Sequence, residues 1–215
     1  MKSQASPSIS SGIDALSHIE REIISCMLCP LANTRKNAVP GEGPIDAQIM
    51  LIGEGPGHHE NEQGLPFVGA SGKLLTELLA SIGLKRSDVY ITNVIKCRAP
   101  GNRDPQPNEI EACGQYLDRQ IKLINPSVIV TLGRFSMARW FPGKRISDIH
   151  GKPKTAGTRI VVPMFHPAAA LHQPKYRPLL VEDFKKLPEL VSQSKLRGAG
   201  SGSSSMPSSG QLSLF

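Results

Sequence analysis

No stretch of this 215-residue chain approaches the roughly 18 consecutive apolar residues that a membrane-spanning helix requires, which excludes that class. The first twelve residues, MKSQASPSISSG, carry no apolar segment of the secretory type, so a reducing, cytoplasmic setting is expected. Acidic residues are in deficit: 25 Lys and Arg against 18 Asp and Glu leave 25 − 18 = +7, a balance that suits a polyanionic partner. There is no internal repeat, and none of the 4 cysteines is left over from a pairing. What remains, 39% hydrophobic and 20% charged residues, has the proportions of one ordinary globular domain with tails.

Ile13, Leu16, Ile19 and Ile23 recur at helical spacing behind a Ser11-x-x-Asp14 capping pattern, so a first helix is expected from about Ile13. From Gly198 onward GAGSGSSSMPSSG holds almost nothing that can be buried, the composition of a flexible linker. The expected organisation is therefore a disordered 1–12, a folded domain over 13–195 and a flexible tail over 196–215.

Inside the domain four short β-branched and apolar runs, AQIMLIGEG (47–55), VYITNVIKC (89–97), SVIVTLG (127–133) and TRIVVPMFH (158–166), each suit one buried strand. The segments between and after them have helical periodicity. Strand-helix-strand alternation predicts an α/β fold, three layers α/β/α, with a central four-stranded, mainly parallel sheet. In such a sheet a ligand sits beyond the carboxyl ends of the strands, which singles out GEGPG, Asn93, Gly133 and Phe165-His166-Pro167. A carboxylate, an amide and an imidazole at strand ends suit a small polar ligand, while capping and packing roles account for the same residues equally well.

Cys26-x2-Cys29 follows the first helix, and Cys97 and Cys113, with fifteen residues between them, stand at the end of the second strand and in the next helix. Two intervening residues let a Cys pair chelate one ion, and thiolates suit zinc and iron-sulfur clusters alike. The dispersed second pair favours a [4Fe-4S] cluster over a zinc ribbon, with four buried structural thiols as the remaining reading. A metal here would staple the first helix to the sheet.

GEGPG at 53–57, GLPFVGASGKLL at 64–75, TNVIKCRAPGNRDPQP at 92–107 and FHP at 165–167, in register with the four cysteines, resemble the family 4 uracil-DNA glycosylases, which carry a [4Fe-4S] cluster. The likeness runs from about Cys26 to Leu187 and suggests a bacterial-type member. The similar Gly41-Glu42-Gly43-Pro44 is read as a chance echo of the first motif.

The resemblance implies a DNA-repair hydrolase that flips uracil out of DNA and cleaves its N-glycosidic bond. It also implies roles for individual residues. Phe67 stacks on the uracil face, and Asn93 reads its edge by donating to O4 and accepting from N3–H. His166 donates to O2 as negative charge leaves with the base. Glu54 orients or deprotonates water or supports the sugar's positive charge. Backbone N–H groups at Gly55 bind uracil, and Glu60 excludes the methyl group of thymine. Asn61 stands where the family usually has an aspartate. Cys26, Cys29, Cys97 and Cys113 would hold the cluster. Lys96, Arg98, Arg103, Lys144 and Arg145 are expected at DNA phosphates, and His150 is a loop residue near DNA or in solvent. Nucleoid association goes with this reading, and a monomer is the default expectation. A metal-stapled damage-sensing binder is the alternative.

The chain ends Gln211-Leu212-Ser213-Leu214-Phe215, an apolar patch after a linker that cannot fold. It resembles the bacterial sliding-clamp-binding motif, with Gln211, Leu212, Leu214 and Phe215 as the contacting residues. Roughly 15 linker residues give a mean reach of about 20 Å, enough to tether the enzyme without fixing its orientation.

Overall fold

The computed structural model describes residues 9–200. The expected tail peptide, including Gln211, Leu212, Leu214 and Phe215, lies outside the described residues. In chain order the elements are α1 (Ile9–Ser25), β1 (Ile49–Gly53), α2 (His58–Gln63), α3 (Ala70–Ala80), β2 (Tyr90–Asn93), α4 (Pro107–Ile124) and β3 (Val128–Leu132). They continue with α5 (Arg134–Ala138), α6 (Ile146–Ile149), β4 (Lys154–Ala156), β5 (Arg159–Met164), α7 (Pro167–His172), α8 (Tyr176–Lys185) and α9 (Leu187–Gly200). Helix α1 begins at Ile9, earlier than Ile13, and α9 runs on to Gly200.

The sheet order is β2-β1-β3-β5-β4. The first four strands are parallel, and every residue of β1, β2 and β3 is buried, which is why these strands read as continuous apolar runs. The sheet has five strands, correcting the expected four. β4 pairs antiparallel with β5 through a hairpin that turns at Gly157, at φ +61°. Its three residues, Lys-Thr-Ala, face solvent or lie half-buried and carry no apolar pattern, so nothing in the sequence marks them as a strand. A polar edge of this kind also discourages pairing with another chain.

Helices cover both faces. Leu51, Val130 and Val162 point to the side of α3, α8 and α9, against Leu75, Leu79, Phe184 and Leu187. Met50, Ile52, Ile129 and Val161 point to the side of α1 and α4, against Ile23, Leu117 and Ile121. Helix α4 is delimited by Pro107 in its first turn, by Glu109 accepting the Gln106 N–H at 2.8 Å, and by Asn125 in the left-handed region at φ +49°. The chain leaves β1 for β2 on one side and returns past β1 to β3 on the other. The crevice beyond β1 and β3 is therefore the topological switch point where ligands bind in open α/β sheets.

Two glycines in helices make opposite predictions. A Cβ on Gly72 of α3 would sit 1.8 Å from the Phe67 carbonyl oxygen, whereas a Cβ on Gly114 of α4 meets nothing within 4 Å. Gly72→Ala should cost about 1–3 kcal/mol in urea unfolding, while Gly114→Ala should gain about 0.5–1 kcal/mol by lowering unfolded-chain entropy. Equal shifts in the two midpoints would show that the α3 approach is not tight.

Candidate active site

A cleft of about 610 Å3 opens at the switch point, within the roughly 300–1,000 Å3 of small-ligand sites. It brings together Glu54 and Gly55 after β1, Glu60 from α2, Phe67 from the loop before α3, Asn93 at the end of β2 and His166 after β5. These six positions are spread over more than a hundred residues of sequence.

Glu60 organises the two loops that wall the cleft. Its buried carboxylate accepts N–H groups from Gly57 at 3.1 Å, Val68 at 2.8 Å and Gly69 at 2.9 Å. A Cβ on Gly57 would lie 2.8 Å from Glu60 Oε2, so a side chain there would push the carboxylate off its donors. Asn61 points away from the cleft: its Oδ1 accepts the Lys36 N–H at 2.9 Å, so it ties α2 to the segment ahead of β1.

Phe67 is buried and held at φ +52°, a conformation that costs an aromatic residue on the order of 1–3 kcal/mol. Its ring lies 5.5 Å from that of His166 at an interplanar angle of 27°. Gly53, paired with Asn93 across β1 and β2, leaves room beneath: a Cβ there would meet Asn93 Oδ1 at 2.4 Å and Phe67 Cζ at 2.6 Å.

Asn93 is 2% exposed, and its Oδ1 has no hydrogen-bond partner. A buried acceptor left unmatched costs about 1–3 kcal/mol, so its presence at a cleft floor points to a donor supplied by a ligand. The Asn93 main chain is fixed from behind. Lys96 Nζ donates to Asn93 O at 2.9 Å, Gln120 Oε1 at 2.7 Å and Thr92 Oγ1 at 2.5 Å. Lys96 is 1% exposed, and burial pulls its ammonium down to about 8. It therefore faces the interior and not a phosphate, contrary to expectation.

His166 caps α7, its Nδ1 accepting the Ala168 N–H at 3.1 Å. An acceptor Nδ1 places the proton of the neutral ring on Nε2. Desolvation pushes the imidazole down to about 4, against a smaller upward pull from the Glu60 carboxylate. The ring is thus a neutral donor at physiological pH. Glu54 is half-buried, and its carboxyl is raised above the usual carboxylate value by burial and by Asp104, with Arg134 opposing.

Several residues at the cleft escaped sequence reasoning. Arg134, paired with Asp104, and His172 line its mouth. Arg134 follows the strand-end Gly133 directly, so the strand-end rule pointed at it. Of the other expected phosphate ligands, Arg103 forms a two-bond pair with buried Glu109, at 2.7 and 2.9 Å, and Arg98 donates to Asn102 at 2.8 Å. Arg145 pairs with Asp148, and Lys144 is exposed. His150 is half-buried and paired: its Nδ1 lies 2.7 Å from Oδ2 of buried Asp183 and its ring packs 4.8 Å from Phe165.

The expected [4Fe-4S] cluster is corrected. Among the described residues no group of three or more His, Cys, Asp or Glu side chains is placed to hold a metal ion. Cys26, Cys29, Cys97 and Cys113 are free thiols lining one narrow cavity of about 10 Å3, at or below the roughly 10–15 Å3 that a single water needs. The sulfurs have protein partners instead: Arg35 Nη1 donates to Cys97 Sγ at 3.2 Å and the Lys96 N–H to Cys113 Sγ at 3.3 Å. Burial pushes the Cys97 thiol up and the Cys113 thiol up to about 11, so these thiols act as small packed side chains.

A family profile described as the uracil DNA glycosylase superfamily matches residues 40–187. The chain is 51% identical over 189 residues to the type-4 uracil-DNA glycosylase of Sulfurisphaera tokodaii, covering 83% of this chain and 86% of that protein. It is 50% identical over 190 residues to the type-4 uracil-DNA glycosylase of Archaeoglobus fulgidus, covering 84% and 96%. It is also 50% identical over 190 residues to that of Saccharolobus solfataricus, covering 84% and 88%. The relatives are mostly archaeal, where a bacterial-type member was expected, and they include the type-4 uracil-DNA glycosylase of Thermotoga maritima, 43% identical over 180 residues.

The tautomer is directly measurable. 15N spectra of labelled histidine at pH 7 should give His166 the neutral pattern with the proton on Nε2 and a titration midpoint of about 4. A midpoint at the ordinary imidazole value would mean that the ring is solvated and that Nδ1 no longer accepts the Ala168 N–H.

Proposed function

The chain belongs to the uracil DNA glycosylase superfamily, among the type-4 uracil-DNA glycosylases, and from that premise we propose how its cleft performs the reaction. The activity is hydrolysis of the N-glycosidic bond of uracil in DNA, a step of base excision repair that leaves an abasic site. DNA is the partner. The roles assigned below are our reading, and the unmatched Asn93 Oδ1 on the cleft floor carries it.

An extruded uracil enters the cleft with one face on Phe67. Asn93 Oδ1 accepts from N3–H, and its amide nitrogen donates to O4. Cytosine presents a lone pair at N3 and a donor at position 4, so it would leave the Asn93 acceptor facing another acceptor in a buried site, which is strongly disfavoured. Gly55 supplies backbone N–H to the base. Glu60, locked by three backbone donors, cannot yield to the 5-methyl group of thymine.

The reaction breaks the C1′–N1 bond, and both electrons leave with uracil. A neutral His166 with its proton on Nε2 donates to O2 as the negative charge develops and needs no proton transfer to do so. Removing one such donor costs on the order of 10²–10³ in kcat. Glu54, ionised, stabilises the positive sugar and orients the water that adds to C1′. A protein that only senses damage has no use for an unmatched acceptor and a tautomer-fixed donor in one cleft.

We read the terminal Gln211, Leu212, Leu214 and Phe215 as a sliding-clamp contact on sequence grounds, and nucleoid association goes with that reading, with a monomer as the default state. Among the described residues no helix is long and apolar enough to cross a membrane.

Asn93→Ala should lower excision from a uracil oligonucleotide by about a hundredfold while DNA affinity changes by less than about threefold; equal losses in both would remove the base-reading role. The pH profile of single-turnover excision should carry an acid limb displaced upward from the ordinary carboxylate range, where Glu54 becomes protonated, and Glu54→Gln should abolish that limb. An acid limb at the ordinary histidine value would instead mean that His166 is solvated and titrates there, and a loss of rate on the alkaline side of that value would mean that the charged ring is the donor. Deleting the last five residues should abolish co-elution with a bacterial sliding clamp and leave excision on short oligonucleotides unchanged, and persistent co-elution would remove that partner.

A further inference from the structure

Gly41-Glu42-Gly43-Pro44 repeats the wording of the cleft's first loop yet takes no part in lining the cleft. Its backbone lies along the outer edge of β2. The Glu42 N–H donates to Ile91 O at 2.9 Å, and Glu42 O accepts the Ile91 N–H at 2.8 Å, an isolated antiparallel bridge. Both flanking glycines are required by the closeness of this approach. Gly41 and Gly43 sit at φ +137° and +134°, and a Cβ on them would lie 2.9 Å from Ile91 O and 2.2 Å from Val89 O.

The approach delivers the Glu42 carboxylate to Arg86, in the short 3-10 turn Arg86–Asp88 that leads into β2. Arg86 Nε donates to Glu42 Oε1 at 3.0 Å, and Nη2 pairs with the same oxygen. The far side of the guanidinium serves the loop before α3: Nη2 donates to Pro66 O at 2.7 Å and Nη1 to Phe67 O at 3.0 Å. The Phe67 carbonyl is thus caught between Arg86 and the close approach of Gly72.

These contacts fall on the peptides that hold Phe67 in its left-handed conformation. A bulky aromatic leaves that region unless its surroundings over-determine it. We propose that Arg86, itself oriented by Glu42, is a positioning residue for the stacking plate: it fixes the Pro66 and Phe67 carbonyls so that the Phe67 ring stays facing the His166 ring. Arg86 lies outside the cleft lining and acts only through Phe67. The inference rests on Phe67 being the surface on which the flipped base stacks. The fork of donors is what the task needs, since a lysine offers a point charge and no planar bidentate geometry.

The test is an epistasis experiment on the full chain with a uracil-containing oligonucleotide, reading the single-turnover excision rate and the half-saturating enzyme concentration separately. Arg86→Ala should lower the rate by about tenfold, equivalent to ~1.4 kcal/mol, with half-saturation within about threefold of the parent. Glu42→Gln should reproduce part of that loss, and Arg86→Lys should recover less than half of it. In a Phe67→Ala background, Arg86→Ala should add less than about a twofold further loss, because the plate it positions is already gone. Losses that multiply in the double variant, a loss in half-saturation in place of rate, or a fully active Arg86→Ala each overturn the proposal. If Arg86→Ala does not fold, Arg86→Lys and Glu42→Gln carry the same comparison against Phe67→Ala. An unimpaired Phe67→Ala would instead sink the stacking reading beneath it. Impaired Phe67→Ala beside an unimpaired Arg86→Ala would sink the clamp alone.

Discussion

Three backbone N–H groups from two separate loops converge on one buried carboxylate, that of Glu60, and the rest of the cleft is measured from it. Hydrogen bonds to a charged group are each worth about 1.5–3 kcal/mol, and removing the carboxylate would leave three main-chain donors without acceptors. The loop carrying Gly55 to Gly57 and the loop carrying Phe67 to Gly69 have no other direct tie among these hydrogen bonds. Glu60 therefore sets the width of the slot between them, and a Cβ on Gly57 would push the carboxylate off its donors. A single acidic side chain converts two flexible loops into opposed walls.

The floor and back of the slot come from the sheet. Asn93 and His166 stand at the ends of parallel strands buried on both faces, so their backbones inherit the rigidity of the core. Lys96 adds a second anchor, binding the Asn93 carbonyl together with Gln120 and Thr92 from inside the protein. The desolvation that lowers its ammonium is offset by three acceptors. Gln120 continues the network to Pro40 O at 2.9 Å and Tyr90 OH at 3.0 Å, linking α4, β2 and the segment before Glu42. Asn93 is thus held from inside the protein by one polar network, and the Phe67 carbonyl by a second one around Arg86.

How much of this is written in the sequence depends on whether the signal is local. The four core strands are legible because each is a continuous apolar run, and β4 is not because it is short, polar and at an edge. The strand-end rule finds Glu54, Asn93 and His166 without any knowledge of contacts. It fails for Arg86 and Glu42, which meet across 44 positions. The likeness of Gly41–Pro44 to a cleft motif hid its actual use, whereas glycine on both sides of a charged residue was the informative feature. Lys96 looked like a phosphate ligand because its acceptors at Thr92 and Gln120 are invisible in one dimension. Cysteine spacing likewise reveals what a chain permits and not how its sulfurs are surrounded.

The cleft combines strain with unmet polarity. Among the described residues only Asn93 Oδ1, Thr131 Oγ1 and Arg159 Nε are buried side-chain atoms without partners, and only the first lies on a cleft wall. Beside it are an aromatic at positive φ, a histidine held neutral and a carboxyl raised by burial. The unmatched acceptor, the strained backbone and the raised carboxyl each lower the stability of the free protein at neutral pH, the depressed imidazole does so only in acid, and a stability-optimised fold would have removed them. An acceptor that is already dehydrated and fixed incurs little further desolvation when an N3–H arrives. It meets a lone pair at the same position with nothing to screen the repulsion. Under the roles proposed for Asn93 and Phe67, discrimination between uracil and cytosine is set by the empty cleft before any base enters it, and the contacts that hold the two residues keep that setting from relaxing away.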